Sequence, residues 1–304
     1  METPRCSLTK ETGRTLQGVT VTAPRSCGVG LAFLAALSLF PRPAGGAPPE
    51  HSPVTVLIYH EIVTDGKEPG ETVISLENFK AQMRWLSEHD YQTLSMDDLV
   101  AFLRGKRAVP EHSVVLTFDD GWKSVLRAVP VLNLYGFKAS FWIITGKGIG
   151  GDYLEWSDIA ELAKNPNFEI GSHTVTHPWD PKDNLVTWAQ GKTPGRGLPD
   201  VWREISESKQ TLEDHLGKRV RYLAWPCGWY TDEMTRLAHE AGYEALLTAE
   251  AGPNLPGGSP YRIKRVFVDG ACDLAVFEDS VRRSTYHVCQ KTGRTTIGHL
   301  PPDS

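Results

Sequence analysis

The chain has 304 residues, 40% of them apolar, with 32 basic against 37 acidic side chains and a net charge of −5. That content suffices for one globular domain with its own core. The faintly acidic balance leaves no basic footprint of the kind nucleic-acid binding requires.

Gly28 to Phe40 is an uncharged apolar run behind Arg25 and ahead of Pro41, Pro43 and the small residues Ala44 to Ala47. It is shorter than the roughly 20 residues a membrane span needs. It fits the apolar centre of a signal peptide, with cleavage after Ala47; a buried core helix is the alternative, but nothing amphipathic surrounds the run. The stretch before it is long for a signal, and a start at Val19 or Val21 would shorten it. Residues 1–47 are therefore assigned to a signal region, 48–285 to the domain and 286–304 to a tail expected to be disordered. The mature chain is expected to be exported, to the periplasm, the cell surface or the medium, with no transmembrane span. Cys27 stands on the wrong side of the apolar run to be a lipid anchor. Cleavage would leave Cys227, Cys272 and Cys289, and spacing alone leaves a Cys272 to Cys289 disulfide open.

Beyond Val54, apolar β-branched runs predict strands at 54–59, 113–118, 139–144, 168–172, 222–225, 245–248 and 263–268. Helical patterns fall between them at 77–88 behind a Ser75 cap, 96–104, 124–135, 156–164, 201–216, 232–241 and 273–283. Such alternation implies an α/β domain on a parallel sheet, and seven repeats suggest a barrel closed with fewer than eight strands. Pro178 to Asp200 shows neither period, and a loop of that length usually has a function.

Two strings carry the chemistry: Thr117-Phe118-Asp119-Asp120-Gly121 and Ser172-His173-Thr174-Val175-Thr176-His177. Alone, paired aspartates are commonly a solvated turn, and His-x3-His is commonly a surface or core pair. Here both strings directly follow predicted strands, and the ends of parallel strands are where α/β folds build active sites. One carboxylate and two imidazoles form a three-ligand set for a divalent metal. The other carboxylate then stands free to accept a proton from water.

Thr-Phe-Asp-Asp-Gly with Ser-His-Thr-x-x-His resembles the first two motifs of the polysaccharide deacetylases, carbohydrate esterase family 4 or the NodB-homology domain. Val56-Leu57-Ile58-Tyr59-His60-Glu61-Ile62 and Tyr222-Leu223-Ala224-Trp225-Pro226-Cys227-Gly228 narrow the resemblance to the poly-β-1,6-N-acetyl-D-glucosamine N-deacetylases of biofilm exopolysaccharide. The motif order of that branch is circularly permuted, placing at the domain's start the histidine that His60 matches. The resemblance covers about residues 52–285 and implies a distorted (β/α)7 barrel and a hydrolase that removes N-acetyl groups from an acetylated amino-sugar polysaccharide. It further implies a divalent metal, zinc by preference, on Asp120, His173 and His177, with Asp119 as general base. His60 would be the general acid and the Cys227 backbone N–H the oxyanion donor.

Two residues depart from the family pattern. Cys227 stands where an aromatic residue is usual; a backbone donor makes no demand on the side chain, so a filler role is set against a thiol role. Ala224 replaces an arginine that steers the base, a task that Arg265 either takes over or, as an ordinary surface residue, does not. The alternative for His60 is a ring bonded to a strand-end carbonyl. Of six candidate tryptophans at 142, 156, 179, 188, 225 and 229, Trp225 and then Trp179 are expected to stack on sugar. Peptidoglycan, chitin oligomers or xylan are alternative substrates, and a non-catalytic glycan-binding protein is the reading from another class.

Overall fold

The computed structural model describes residues 52–64, 66–146 and 149–289, with the backbone of 295–297. The expected signal region and the remainder of the expected tail lie outside the described residues.

Seven parallel strands run in the order Ala245–Leu247, Tyr222–Ala224, Phe168–Ser172, Ala139–Ile143, Ser113–Phe118, Thr55–Tyr59 and Val266–Phe267. A parallel bridge between Leu247 and Ile263 links the two ends of the sheet. The Ile263 N–H donates to Leu246 at 3.0 Å and the Thr248 N–H to Ile263 at 2.9 Å, so the sheet curls into the distorted (β/α)7 barrel that the sequence implied. An eighth strand, Gln92–Thr93, pairs with the start of Ser113–Phe118; two residues are too few to show a period.

Alternation along the strands separates two cores. One face, with Leu57, Leu116, Phe141, Ile170 and Leu223, packs under the outer helices. The other, with Val56, Val115, Trp142, Tyr222 and Leu247, fills the barrel and is joined by Met96, Leu99 and Leu103 of helix Met96–Leu103. Gly171 keeps this interior filled yet uncrowded, because a Cβ there would lie 1.9 Å from the Trp142 ring. By the same parity His60 continues Val56 and Ile58, Asp119 continues Val115 and Thr117, and His173 continues Glu169 and Gly171. All three side chains thus leave the strands on the interior face at one mouth.

Several element boundaries differ from expectation. The 124–135 pattern divides into a 3₁₀ turn, Lys123–Arg127, and a helix, Val129–Tyr135, with Pro130 in the new first turn, where its missing N–H costs nothing. Of 263–268 only Val266–Phe267 is strand. Beside it the Asn254 side chain accepts from Lys264 N and donates to Lys264 O, at 3.1 and 2.9 Å, taking the place of a ladder. The aperiodic segment after Pro178 contains a hairpin, Trp179–Asp180 with Asp183–Asn184, then helix Leu185–Ala189 capped by Asn184. Helix Leu198–Leu216 begins earlier than its apolar period shows. Tyr286, at the start of the expected tail, is buried, and His287–Cys289 forms a strand against Thr295–Ile297. Cys289 is disulfide-bonded to Cys272. Among the described residues no helix is long and apolar enough to cross a membrane.

Glu169 lies on the interior face far from the mouth. Its Oε2 is buried without a hydrogen-bond partner, and Arg221 Nη2 lies 3.8 Å from Oε1. Burial, then the charge of Asp97, pushes the carboxyl from 4.5 up to about 7. Between those values the folded chain keeps a proton that the unfolded chain has released, so the Glu169 contribution is intact below about pH 4.5 and is lost as pH rises through 7. Glu169→Gln should leave the thermal midpoint unchanged at pH 4.5 and raise it above the parent's at pH 8; a pH-independent difference would refute this account.

Candidate active site

The strand Ser113–Phe118 ends in two consecutive carboxylates that diverge because the backbone reverses between them. Asp119 N donates to Tyr59 O at 2.8 Å, whereas Asp120 adopts φ +69° and Gly121 φ +77°. Asp119 therefore stays within the barrel mouth while Asp120 swings towards the next turn. That turn follows Phe168–Ser172 and has Thr174 at φ +66° and His177 at φ +48°. It is braced by Glu204 of helix Leu198–Leu216, whose carboxylate accepts from Val175 N, Thr176 N and Thr176 Oγ1 at 2.8, 2.8 and 2.6 Å. Left-handed backbone at non-glycine residues costs about 1 kcal/mol or more each, and charge-assisted bonds of this kind offset it.

His173 Nδ1 lies 2.8 Å from the Ala224 carbonyl. A carbonyl only accepts, so Nδ1 carries the proton and, in the neutral ring, Nε2 presents its lone pair. That Nε2 is 3.4 Å from Asp120 Oδ1, and His177 Nε2 is 3.6 Å from the same oxygen. Oδ1 is buried and has no hydrogen-bond partner. The three ligand atoms lie within 4.8 Å of one another. Burial, then the neighbouring His173, pushes His177 down to about 4, so its ring stays neutral near pH 7. Burial opposes ionisation of Asp120, but the neighbouring His173 and His60 hold the carboxyl well below its usual range. Two imidazole nitrogens and one orphaned carboxylate oxygen at this spacing fit a divalent cation.

Asp119 is buried and makes a bidentate pair with Arg265, Nη1 to Oδ1 at 2.8 Å and Nη2 to Oδ2 at 2.9 Å. The same guanidinium donates to Thr248 O at 2.7 Å and to Thr117 Oγ1 at 3.3 Å. Burial alone would raise the Asp119 carboxyl, but Arg265, His173 and His60 hold it below its usual value. Arg265 is 1% exposed, which corrects the surface-residue alternative: it enters the mouth from the residue just before the strand Val266–Phe267.

His60 is buried, and its ring stacks on Phe267 with centroids 5.7 Å apart. Its Nδ1 has no hydrogen-bond partner, unlike the ring bonded to a strand-end carbonyl weighed from sequence. Cys227 occupies the turn Pro226–Gly228 with φ +54°. Burial, then Asp120 and Asp119, pushes its thiol up to about 11, so it remains protonated near neutral pH. Gly228 follows at φ +74°, where a Cβ would lie 2.3 Å from Ala249 N, and the turn is fixed there.

Trp225 departs from expectation. It is fully buried among the residues under the outer helices and presents no face to a sugar, because parity in its strand turns it away from the mouth. Trp179 is 68% exposed and stands two residues beyond His177. Sequence reasoning missed two neighbours of the site. Trp122 Nε1 donates to Asp120 Oδ2 at 3.0 Å, and its proximity to the first motif was the available clue. Glu204 reaches its turn from a distant helix, a contact that no spacing encodes.

Residues 106–246 match the family model described as polysaccharide deacetylase. That stretch is a polysaccharide deacetylase domain. It is 29% identical to the YxkH protein of Bacillus subtilis strain 168 over 225 residues, 73% of this chain and 74% of that one. The poly-β-1,6-N-acetyl-D-glucosamine N-deacetylase of Staphylococcus aureus strain MRSA252 is 24% identical over 212 residues, 67% of this chain and 71% of that one. The structure of IcaB from Ammonifex degensii superposes with a TM-score of 0.63 at 27% identity, covering 71% of this chain and 92% of that one.

The Arg265–Asp119 pair gives a stability test. Arg265→Met leaves a buried carboxylate without its counter-charge and should cost about 3–5 kcal/mol in denaturant unfolding. Adding Asp119→Asn to that variant should recover part of the loss. A double variant no more stable than Arg265→Met would show that the pair is not the source.

Proposed function

We propose that the protein is an exported, metal-dependent hydrolase that removes N-acetyl groups from a β-linked amino-sugar polymer, in the manner of the poly-β-1,6-N-acetyl-D-glucosamine N-deacetylases. The observation carrying this reading is the convergence at one barrel mouth of a cation-fitting Asp120–His173–His177 cluster, an arginine-held carboxylate and a histidine with an unpartnered nitrogen. A glycan-binding protein would need neither of the last two.

Asp120, His173 and His177 would hold the cation, which supplies Lewis acidity towards a carbonyl oxygen and lowers the pKa of water. Asp119 accepts a proton from the attacking water. Arg265 keeps that carboxylate ionised and aimed, at the cost of basicity, so Asp119 can serve as base only towards an acidified water. The Cys227 N–H donates to the acetamide oxygen as negative charge develops there, and the tight turn carrying it leaves the thiol without a chemical part. His60 delivers a proton to the departing amine, the step an amide leaving group most needs. Trp179, exposed beside His177, is the proposed sugar contact. The Cys272–Cys289 disulfide supports an oxidising compartment; an intact chain retaining Met1 in the cytoplasm would speak against export.

Metal content measured beside acetate release from poly-β-1,6-N-acetyl-D-glucosamine tests the assignment. A strong chelator should abolish release, and zinc or cobalt should restore it; full activity without metal would sink the hydrolytic mechanism. Asp119→Asn should keep one bound metal and lose about 10²- to 10⁴-fold in turnover. Asp120→Asn should instead lose metal affinity, with partial recovery in excess zinc. His60→Ala should resemble Asp119→Asn on the amide and be milder on an acetate ester, whose leaving group needs less help. Equal metal loss in the two aspartate variants would mean that the pair is misassigned. Faster release from chitin oligomers, peptidoglycan or acetylated xylan would move the substrate while keeping the chemistry.

A further inference from the structure

A carboxylate beside two imidazoles can offer a cation one oxygen or two, and the structure contains a device that decides between them. We propose that Trp122 is a positioning residue that occupies Asp120 Oδ2 and thereby leaves Oδ1 as the single oxygen offered to the cation; this rests on the metal-site reading given above. Trp122 Nε1 donates to Oδ2 at 3.0 Å, while Oδ1 lies 3.4 Å from His173 Nε2 and 3.6 Å from His177 Nε2 with no hydrogen bond of its own. An indole N–H can only donate. Unlike a histidine, asparagine or serine at this position, it cannot itself become a ligand.

The donor is held in place by its neighbours. The indole stacks on Tyr153 with centroids 4.4 Å apart and planes at 22°, and the two residues are joined by an antiparallel backbone bridge. Flanking hydrogen bonds, Lys123 N to Asp152 O and Leu154 N to Gly121 O, both 2.8 Å, fasten the same two segments together. Lys67 lies over the indole with Nζ 5.5 Å from the ring centroid and is ion-paired to Glu61. A rigid donor suits an outer partner of a metal ligand, because it fixes ligand orientation before the cation arrives. Restricting Asp120 to one oxygen also favours zinc, which is content with few ligands, over larger cations that readily take both oxygens of a carboxylate.

The test is Trp122→Phe, which keeps a ring for Tyr153 and Lys67 and deletes only the donor. Zinc affinity, read by competition with a chromophoric chelator, should fall about 10- to 100-fold, and the preference for zinc over manganese should narrow. The visible absorption of the cobalt-substituted variant should weaken as the second oxygen becomes available and coordination number rises. The metal-free variant should unfold at the parent temperature, separating lost ligand orientation from lost fold. If the phenylalanine variant does not fold, a tryptophan analogue with sulfur in place of the indole N–H keeps the shape and should show the same losses. Parental zinc affinity, zinc preference and cobalt spectrum in the donor-less protein would overturn the role of Trp122 and leave the site reading standing. Failure of the parent to bind zinc, or equal binding by Asp120→Asn and His173→Ala, would overturn the site reading and this proposal with it.

Discussion

The buried Arg265–Asp119 ion pair is the constraint around which the mouth of the barrel is arranged. Its cost is large, since two charges leave water, and it is met only because every guanidinium nitrogen has an acceptor, in Asp119, Thr117 Oγ1 or the Thr248 carbonyl. The strand Ser113–Phe118 contributes the carboxylate, and Arg265 immediately precedes the strand Val266–Phe267. Thr55–Tyr59 lies between these strands in the sheet. The pair therefore spans the mouth across the strand that ends at His60, and it fixes the strand ends relative to one another in a way that backbone pairing of short strands cannot.

Strain is concentrated at the same mouth. Of the six non-glycine residues with positive φ among the described residues, Asp120, Thr174, His177 and Cys227 belong to the site or its immediate turns. The remaining two, Asp90 and Ser284, lie elsewhere, Ser284 as the left-handed cap of helix Leu274–Arg283. A regular strand end would direct Asp120 along its own axis and His177 into solvent. The left-handed turns instead bring both towards His173, and the bonds to Glu204 and the stitching around Gly121 hold them there. Such strain is tolerated where the surroundings over-determine the backbone.

The seven strands of the barrel and the two strings that meet at its mouth were legible because each is local: a β-branched run followed directly by polar residues gives both the element and the side chains that leave its end. The boundaries that failed were set by tertiary or single-residue effects, as where Pro130 divides one apolar pattern into two helices, or Asn254 replaces ladder bonds beside Arg265. Trp225 shows the limit most directly. Its aromatic character and its place beside Pro226 were visible, but the direction of its side chain depends on strand parity carried through a turn. Arg265, Glu204 and Trp122 act through contacts between separate segments, and residue type alone could not distinguish Arg265 from a surface arginine.

The support of His60 shows why a catalytic domain should not be judged by its first and last motifs. The ring is held chiefly by Phe267, which in turn meets the Tyr286 ring at 5.5 Å, and the Tyr286 hydroxyl donates to Glu71 at 2.6 Å. Tyr286 lies between Cys272 and Cys289 in a loop closed by their disulfide, and the Cys289 N–H donates to Asp269 at 2.9 Å. A stacked ring keeps its orientation without committing Nδ1 to a hydrogen bond. In the proposed reaction that freedom is what an acid requires, since a nitrogen bound to a carbonyl would have to break that bond to exchange its proton. Among the described residues, Tyr286 and the disulfide at Cys289 thus bear on the proposed acid through packing.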